Sequence, residues 1–187
     1  MNYTINNFFK DDDCSYFLKK ALEIGVPFNY NPNENWDCRR IYDEELKLKI
    51  YNILESKYKT GDWNLWIDFE SLKVKSINVS LTAYYEGRYL NLHKDSNSSL
   101  TIVIVLNDGY EDGRFAITNA VNNNYHFENL KNMELIELSK GDGISFIGNE
   151  IFHGVLPVTI GKRYALNIWL SEEENKFVPM KKEKSIL

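Results

Sequence analysis

The chain has 187 residues, 43% hydrophobic and 14% aromatic, enough to bury a core and too apolar for a disordered chain. A net charge of −5 argues against a broad nucleic-acid-binding face. No run reaches the roughly 18 apolar residues of a membrane span, and "MNYTINNFFKDDD" lacks the basic start and apolar core of a secretory signal. These features predict one domain in the cytoplasm, with Cys14 and Cys38 as reduced thiols and no membrane or nucleic-acid partner.

The first 63 residues read as mainly helical support. "DDDCSYFLKKALEIG" offers Asp12 or Asp13 as N-cap, Phe17, Leu18, Ala21 and Leu22 at helical spacing, and Gly25 as a stop. "YDEELKLKIYNILESKY" repeats the pattern, with Leu46, Ile50 and Leu54 on one stripe, acids early and lysines late. Between them the Asn and Pro content of "FNYNPNENWD" predicts a loop. From about residue 64 the period changes to two. "SINVSLTAYY" alternates as a half-buried strand, and "SLTIVIVLN" is a continuous β-branched run, as expected of a strand covered on both faces. Shorter strands follow at "GRFAIT", "MELIEL", "GISFIG", "HGVLPV" and "RYALNIWL", with turns at "NDG", "EDG" and "KGDG". So many short strands predict a sandwich or barrel, and the double-sheet jelly roll, spanning 64–171, is the version that holds a site inside. Residues 172–187 form a charged C-terminal segment.

Three histidines occur in the chain, and one opens "HKD". In an extended segment His93 and Asp95 project to the same side, so both could reach one ion. The pair alone is weak, because with 27 acids in 187 residues about one histidine in seven has an acid two positions on by chance. His153 strengthens it. Two histidines and one carboxylate occupy one face of an octahedral ion and leave the rest open, the facial triad of non-haem Fe(II) oxygenases; a core histidine bonded to a carbonyl is the competing reading. Arg163 opens an otherwise apolar strand on a face shared with Ala165, Asn167 and Trp169, none of them acidic. A buried guanidinium needs an anion, either a structural carboxylate or a carboxylate-bearing cosubstrate that fits its planar fork.

At "YYEGRYLNLHKD", "LTIVIVLND" and "LSKGDGISFIGNEIFHGVLPVTIGKRYALNIWL", over about residues 77–171, the chain resembles the Fe(II)- and 2-oxoglutarate-dependent dioxygenases, in their prolyl 4-hydroxylase-like branch. The resemblance implies a mainly β fold: a double-stranded β-helix (jelly-roll, cupin-like) core with the N-terminal helices packed outside. It implies His93, Asp95 and His153 as Fe(II) ligands and Arg163 as the residue that binds the distal carboxylate of 2-oxoglutarate. Tyr84, nine residues before His93, matches a cosubstrate-contacting tyrosine. Thr101 would line the same pocket, and Trp169 would wall the metal site. The implied cofactors are Fe(II), 2-oxoglutarate and O2, with ascorbate in support. The implied chemistry couples decarboxylation of 2-oxoglutarate to succinate with hydroxylation of an unactivated C–H bond.

Asp95 separates the chain from related halogenases, which carry a small residue there. Trp169 stands where the nucleic-acid demethylase branch has a second arginine. Val105 replaces a tyrosine found in some prolyl hydroxylases, and Asp112-Gly113 replaces a double glycine. The expected substrate is a peptidyl proline or similar peptide residue; the alternatives are a free amino acid or small metabolite and, from another class, a non-catalytic jelly-roll binding module. The polar stretch 118–132, including His126, is expected over the site. Trp36, Arg39, Arg40, Trp63, Trp66, Arg88 and Arg114 are rim candidates that equally suit plain packing or solvated charge. Oligomeric state leaves no mark in the sequence.

Overall fold

The computed structural model describes residues 2–28, 36–96, 98–119 and 133–172. Most of the polar stretch expected over the site, His126 within it, and nearly all of the charged C-terminal segment lie outside these residues.

Both expected helices form. Helix α1, Asp11–Ile24, buries Cys14, Phe17 and Ala21, whereas Leu22 is exposed, so the apolar stripe runs one position to the side of the expected one. Its N-cap is Lys10 rather than Asp12 or Asp13. Asp13 sits in the first turn instead, where its Oδ2 accepts the Lys10 backbone N–H at 3.2 Å and its charge faces the positive end of the helix dipole. Helix α2, Glu44–Thr60, buries Leu46, Ile50 and Leu54 as the stripe predicts. Asp43 caps it by accepting the Leu46 N–H at 2.7 Å. Ile50 and Leu54 are fully buried, each contributing about 1.5–3 kcal/mol of apolar transfer. No described helix is long and apolar enough to cross a membrane.

The strands are β1 Tyr3–Asn7, β2 Val26–Pro27, β3 Asp37–Ile41, β4 Ser76–Tyr85, β5 Leu90–His93, β6 Leu100–Val105, β7 Glu111–Asp112, β8 Phe115–Thr118, β9 Glu134–Ile136, β10 Asp142–Phe146, β11 Phe152–Val155, β12 Val158–Ile160 and β13 Lys162–Ser171. The major sheet has the order β1-β10-β6-β13-β4-β3-β2 and the minor sheet β5-β11-β8-β9, with β12 and β7 as a separate pair. Pairing within these sheets is antiparallel. β6 lies between β10 and β13 with all six residues buried, as its unbroken apolar run requires. The first third also supplies three strands of the major sheet, β1, β2 and β3, which the helical reading passes over.

Alternation divides the major sheet between two cores. One face carries Val79, Leu81, Leu100, Ile102, Ile104, Leu166, Ile168 and Leu170 against Phe17, Ile50 and Leu54 of the helices. The other carries Tyr84, Val103, Val105, Ala165, Ile144 and Phe146 against Phe115, Ile117 and Val155 of the minor sheet. This second, inter-sheet core is where the predicted ligands emerge. Cys14 and Cys38 are buried and not joined in a disulfide, and burial pushes the Cys14 thiol up to about 11, so it packs as a small apolar group.

Candidate active site

His93 ends β5 and His153 lies on the neighbouring β11, directly opposite it in register. Gly154 lets the two strands approach: a Cβ there would stand 2.5 Å from the Leu90 carbonyl oxygen. The rings of His93 and His153 are 4.3 Å apart, and His153 packs against Phe115 and Phe146. Each histidine has Nδ1 at 3.0 Å from a backbone carbonyl, His93 from that of Asn91 and His153 from that of Ile151. A carbonyl only accepts, so Nδ1 carries a proton in each ring, and when the ring is neutral Nε2 is left with its lone pair, the tautomer a metal ligand needs. Both Nε2 atoms face Asp95 Oδ1, at 3.8 Å from His93 and 3.6 Å from His153. The three ligand atoms lie within 4.8 Å of one another, so they fit one ion. The competing reading of His153, a core histidine bonded to a carbonyl, describes its Nδ1 alone.

Burial, and next the neighbouring His153, push the His93 pKa down to about 4. Burial acts to raise the Asp95 carboxyl, but hydrogen bonding and charge from His153, with the Thr101 hydroxyl, outweigh it and bring the pKa to about 2. The centre therefore holds an ionised carboxylate beside a neutral His93 across the physiological range. In the metal-free protein, NMR of the imidazole nitrogens should show His93 as the Nδ1–H tautomer at pH 6, protonating with a midpoint near 4. Since this lies below the ordinary 6.5, the unfolded chain takes up the proton first. His93 then contributes its full stability above pH 6.5 and loses it progressively as pH falls from 6.5 through 4. A midpoint near 6.5 would show that the ring is solvated rather than held.

Arg163 is the second residue of β13, on the inter-sheet face, paired with Tyr84 of β4. It is 1% exposed and its Nη1 is buried without a hydrogen-bond partner. Its guanidinium carbon lies 5.6 Å from the centre of the Tyr84 ring. The structural ion pair that the sequence leaves open is absent among the described residues, so the buried cation faces the interior with a donor to spare. That donor set suits an incoming carboxylate.

The other sequence-nominated residues separate. Thr101 is buried, and its hydroxyl donates to Asp95 Oδ2 at 2.6 Å, so its contact is with a member of the His93–Asp95–His153 cluster. Trp169 is half-buried and stands opposite Thr101 in register. Val105 is inside the inter-sheet core, opposite Ala165. Asp112 adopts the left-handed conformation, φ 57°, that a glycine takes without strain, and its carboxylate accepts Arg114 Nε at 3.0 Å. Of the rim candidates, Trp63 belongs to the helix-side core, with its indole N–H on Ser145 Oγ at 3.1 Å, and Arg39 Nη1 donates to the Gly25 carbonyl. Trp36 and Trp66 pack against the inter-sheet core with indole nitrogens buried and without an acceptor. Arg40 lies over the Phe28 ring at 3.6 Å. Gly148 and Ser98 are absent from the sequence-derived set and touch Asp95 directly or through Thr101; only the "GNE" turn ahead of His153 hints at the glycine.

The profile of the 2OG-Fe(II) oxygenase superfamily matches residues 79–171, the span that contains His93, Asp95, His153 and Arg163. The chain belongs to this superfamily. Its cofactors are accordingly Fe(II) and 2-oxoglutarate, and it is a dioxygenase. Three prolyl hydroxylases show the same fold. A prolyl-4-hydroxylase from Pseudomonas putida aligns with TM-score 0.63 at 14% identity over 92% of this chain and 93% of that one. The viral collagen prolyl hydroxylase of Paramecium bursaria Chlorella virus-1, solved with 2OG, gives 0.62 at 17% over 92% and 97%. A Trichoplax adhaerens prolyl hydroxylase, solved with a hypoxia inducible factor oxygen degradation domain peptide, gives 0.63 at 16% over 91% and 84%. No curated protein matches the sequence. The double-stranded β-helix expected from the sequence is the observed fold.

Proposed function

We propose that this dioxygenase hydroxylates an unactivated C–H bond of a peptide residue, proline or one of similar shape, with succinate as co-product. The observation that carries the chemistry is the buried Arg163, whose Nη1 has no hydrogen-bond partner, beside Tyr84 of the inter-sheet core. With its cosubstrate, the iron would supply the oxidising power. This chain's residues then have separable tasks. His93, His153 and Asp95 would hold the metal through Nε2, Nε2 and Oδ1. Arg163 would bind the distal carboxylate and so fix which end of 2-oxoglutarate faces the metal. Phe115, Phe146 and Val103 keep water from that space. Support for a peptide comes from the fold shared with prolyl hydroxylases, one of them solved with a peptide.

The test has two stages. Anaerobic addition of Fe(II) and 2-oxoglutarate should give the weak visible charge-transfer band of a chelated cosubstrate, absent in His93→Ala. Succinate formation is then followed with proline-containing peptides and, separately, with free amino acids. Peptide-dependent succinate accompanied by a 16 Da gain on the peptide supports the proposal. Stimulation by free amino acids alone would replace the peptide with a small metabolite.

A further inference from the structure

Asp95 is held from two sides by groups that are not metal ligands. Its backbone N–H donates to the Gly148 carbonyl at 2.9 Å. Its Oδ2 accepts the Thr101 hydroxyl at 2.6 Å, and Thr101 Oγ1 is in turn 2.9 Å from Ser98 Oγ. The direction of this hydroxyl chain follows from proton counting. Thr101 has one hydroxyl proton, and an ionised carboxylate can only accept it, so the Thr101 oxygen must accept from Ser98. Ser98 and Thr101 are each 1% exposed, which shelters both bonds from exchange with water. The other carboxylate oxygen, Oδ1, is the one that both histidine Nε2 atoms face.

From this geometry we propose that the Ser98–Thr101 hydroxyl chain is a positioning device that makes Asp95 a single-oxygen metal ligand. It engages Oδ2 and leaves Oδ1 alone for the iron. The inference rests on the dioxygenase reading of the triad. Its chemical sense lies in coordination number: three protein donors leave three octahedral positions, and a second carboxylate oxygen on the metal would consume one of them. Thr101 comes from the middle of the major sheet, whereas Asp95 follows an edge strand of the minor sheet. The hydroxyl thus ties the more loosely held ligand to a rigid element.

Gly148 gives independent support. A Cβ built there would fall well inside contact distance of both Thr101 Oγ1 and Asp95 Oδ2. A side chain at 148 would intrude on this hydrogen bond and stand 3.0 Å from Asp95 Cβ, so Gly148→Ala should disturb Asp95 at least as much as loss of the hydroxyl does.

The experiment is a Co(II) and Fe(II) titration of the metal-free protein under nitrogen, with the visible Co(II) spectrum recorded at saturation, for wild type, Thr101→Val, Thr101→Ser, Ser98→Ala and Gly148→Ala. Thr101→Val should weaken metal binding about 10- to 100-fold, the usual cost of losing a partner behind a ligand, and should change the Co(II) band pattern as Oδ2 becomes free to coordinate. Thr101→Ser should restore both, and Ser98→Ala should fall between. Gly148→Ala should weaken binding at least as much as Thr101→Val, and the double variant should be no worse than Gly148→Ala alone. Wild-type affinity and spectrum in Thr101→Val would overturn the proposal. So would a Thr101→Ser protein as impaired as the valine variant, because packing rather than the hydroxyl would then be at work. If Thr101→Val does not fold, Thr101→Ser against Ser98→Ala decides: equal, wild-type-like behaviour of both overturns the chain. Failure of the site itself looks different, as wild type that binds no Co(II) or binds it unchanged in His93→Ala.

Discussion

Replacing Arg163 by methionine is expected to make the cosubstrate-free protein more stable while weakening 2-oxoglutarate binding by about 10²–10³-fold. The two effects have one cause. Among the described residues no carboxylate pairs with this guanidinium, Nη1 has no acceptor, and the residue is 1% exposed. A cation kept out of water without a partner costs free energy, and methionine fills a similar space without the charge. A gain of about 1 kcal/mol would raise the melting temperature by about 2–4 °C in a domain of this size. In wild type the same deficit should be made good by the ligand. Near-saturating 2-oxoglutarate, at about 100 times its Kd, should stabilise the fold by about 2.7 kcal/mol, whereas the methionine variant should gain at most about 0.4 kcal/mol at the same concentration. Arg163→Lys should keep the charge but lose the fork, giving intermediate affinity. Thermal unfolding of each protein with Fe(II), with and without 2-oxoglutarate, reads all of this in one series. A methionine variant markedly less stable than wild type without ligand would mean that an acid of the protein already neutralises Arg163, and the cosubstrate assignment would lose its main support.

Arg163 is legible in the sequence because its surroundings contradict it: a cation at the head of a strand whose own face carries no acid. The triad is legible for a similar reason, since chain order places His153 just ahead of that strand and a jelly roll brings distant strands together. The helices also follow from the sequence, because a stripe such as Leu46, Ile50 and Leu54 is a local property. What stays hidden is non-local. β1 escapes because "YTINN" pairs on one side only and never acquires an apolar face: Ile5 is 47% exposed. β3 escapes because Arg39 and Arg40 interrupt its period, although the strand is sandwiched between β2 and β4. The Asp95–Thr101–Gly148 contact joins positions on a loop, a buried strand and a later turn, and no spacing rule links them. The buried run "LTIVIV" places Thr101 near the site, but the meeting of its hydroxyl with the carboxylate depends on how two sheets pack.

His153→Ala is expected to do the opposite of Arg163→Met. The arginine variant should still bind Fe(II), because the triad is untouched. The histidine variant should lose iron binding by more than about 100-fold, since deleting a ligand must exceed the cost of deleting a partner behind one. Succinate formation and the anaerobic charge-transfer band should vanish with it. His153 is 4% exposed and packed between Phe115 and Phe146, so alanine also leaves a gap costing about 2–4 kcal/mol. His153→Gln, which keeps most of the volume, separates the packing loss from the ligand loss: it should recover stability and still bind no iron. A second readout needs no metal. After burial, His153 is the larger cause of the depressed His93 pKa, so removing it should raise the His93 protonation midpoint above about 4. It should also withdraw the hydrogen bond and charge that hold Asp95 down, moving that carboxyl upward. Both shifts are visible by NMR in the metal-free protein. Iron binding that survives in His153→Ala with an unmoved His93 midpoint would show that the two rings do not share a site. Loss of iron together with an upward His93 shift would tie β5 and β11 to a single metal centre, with the major sheet supplying the anion site at Arg163.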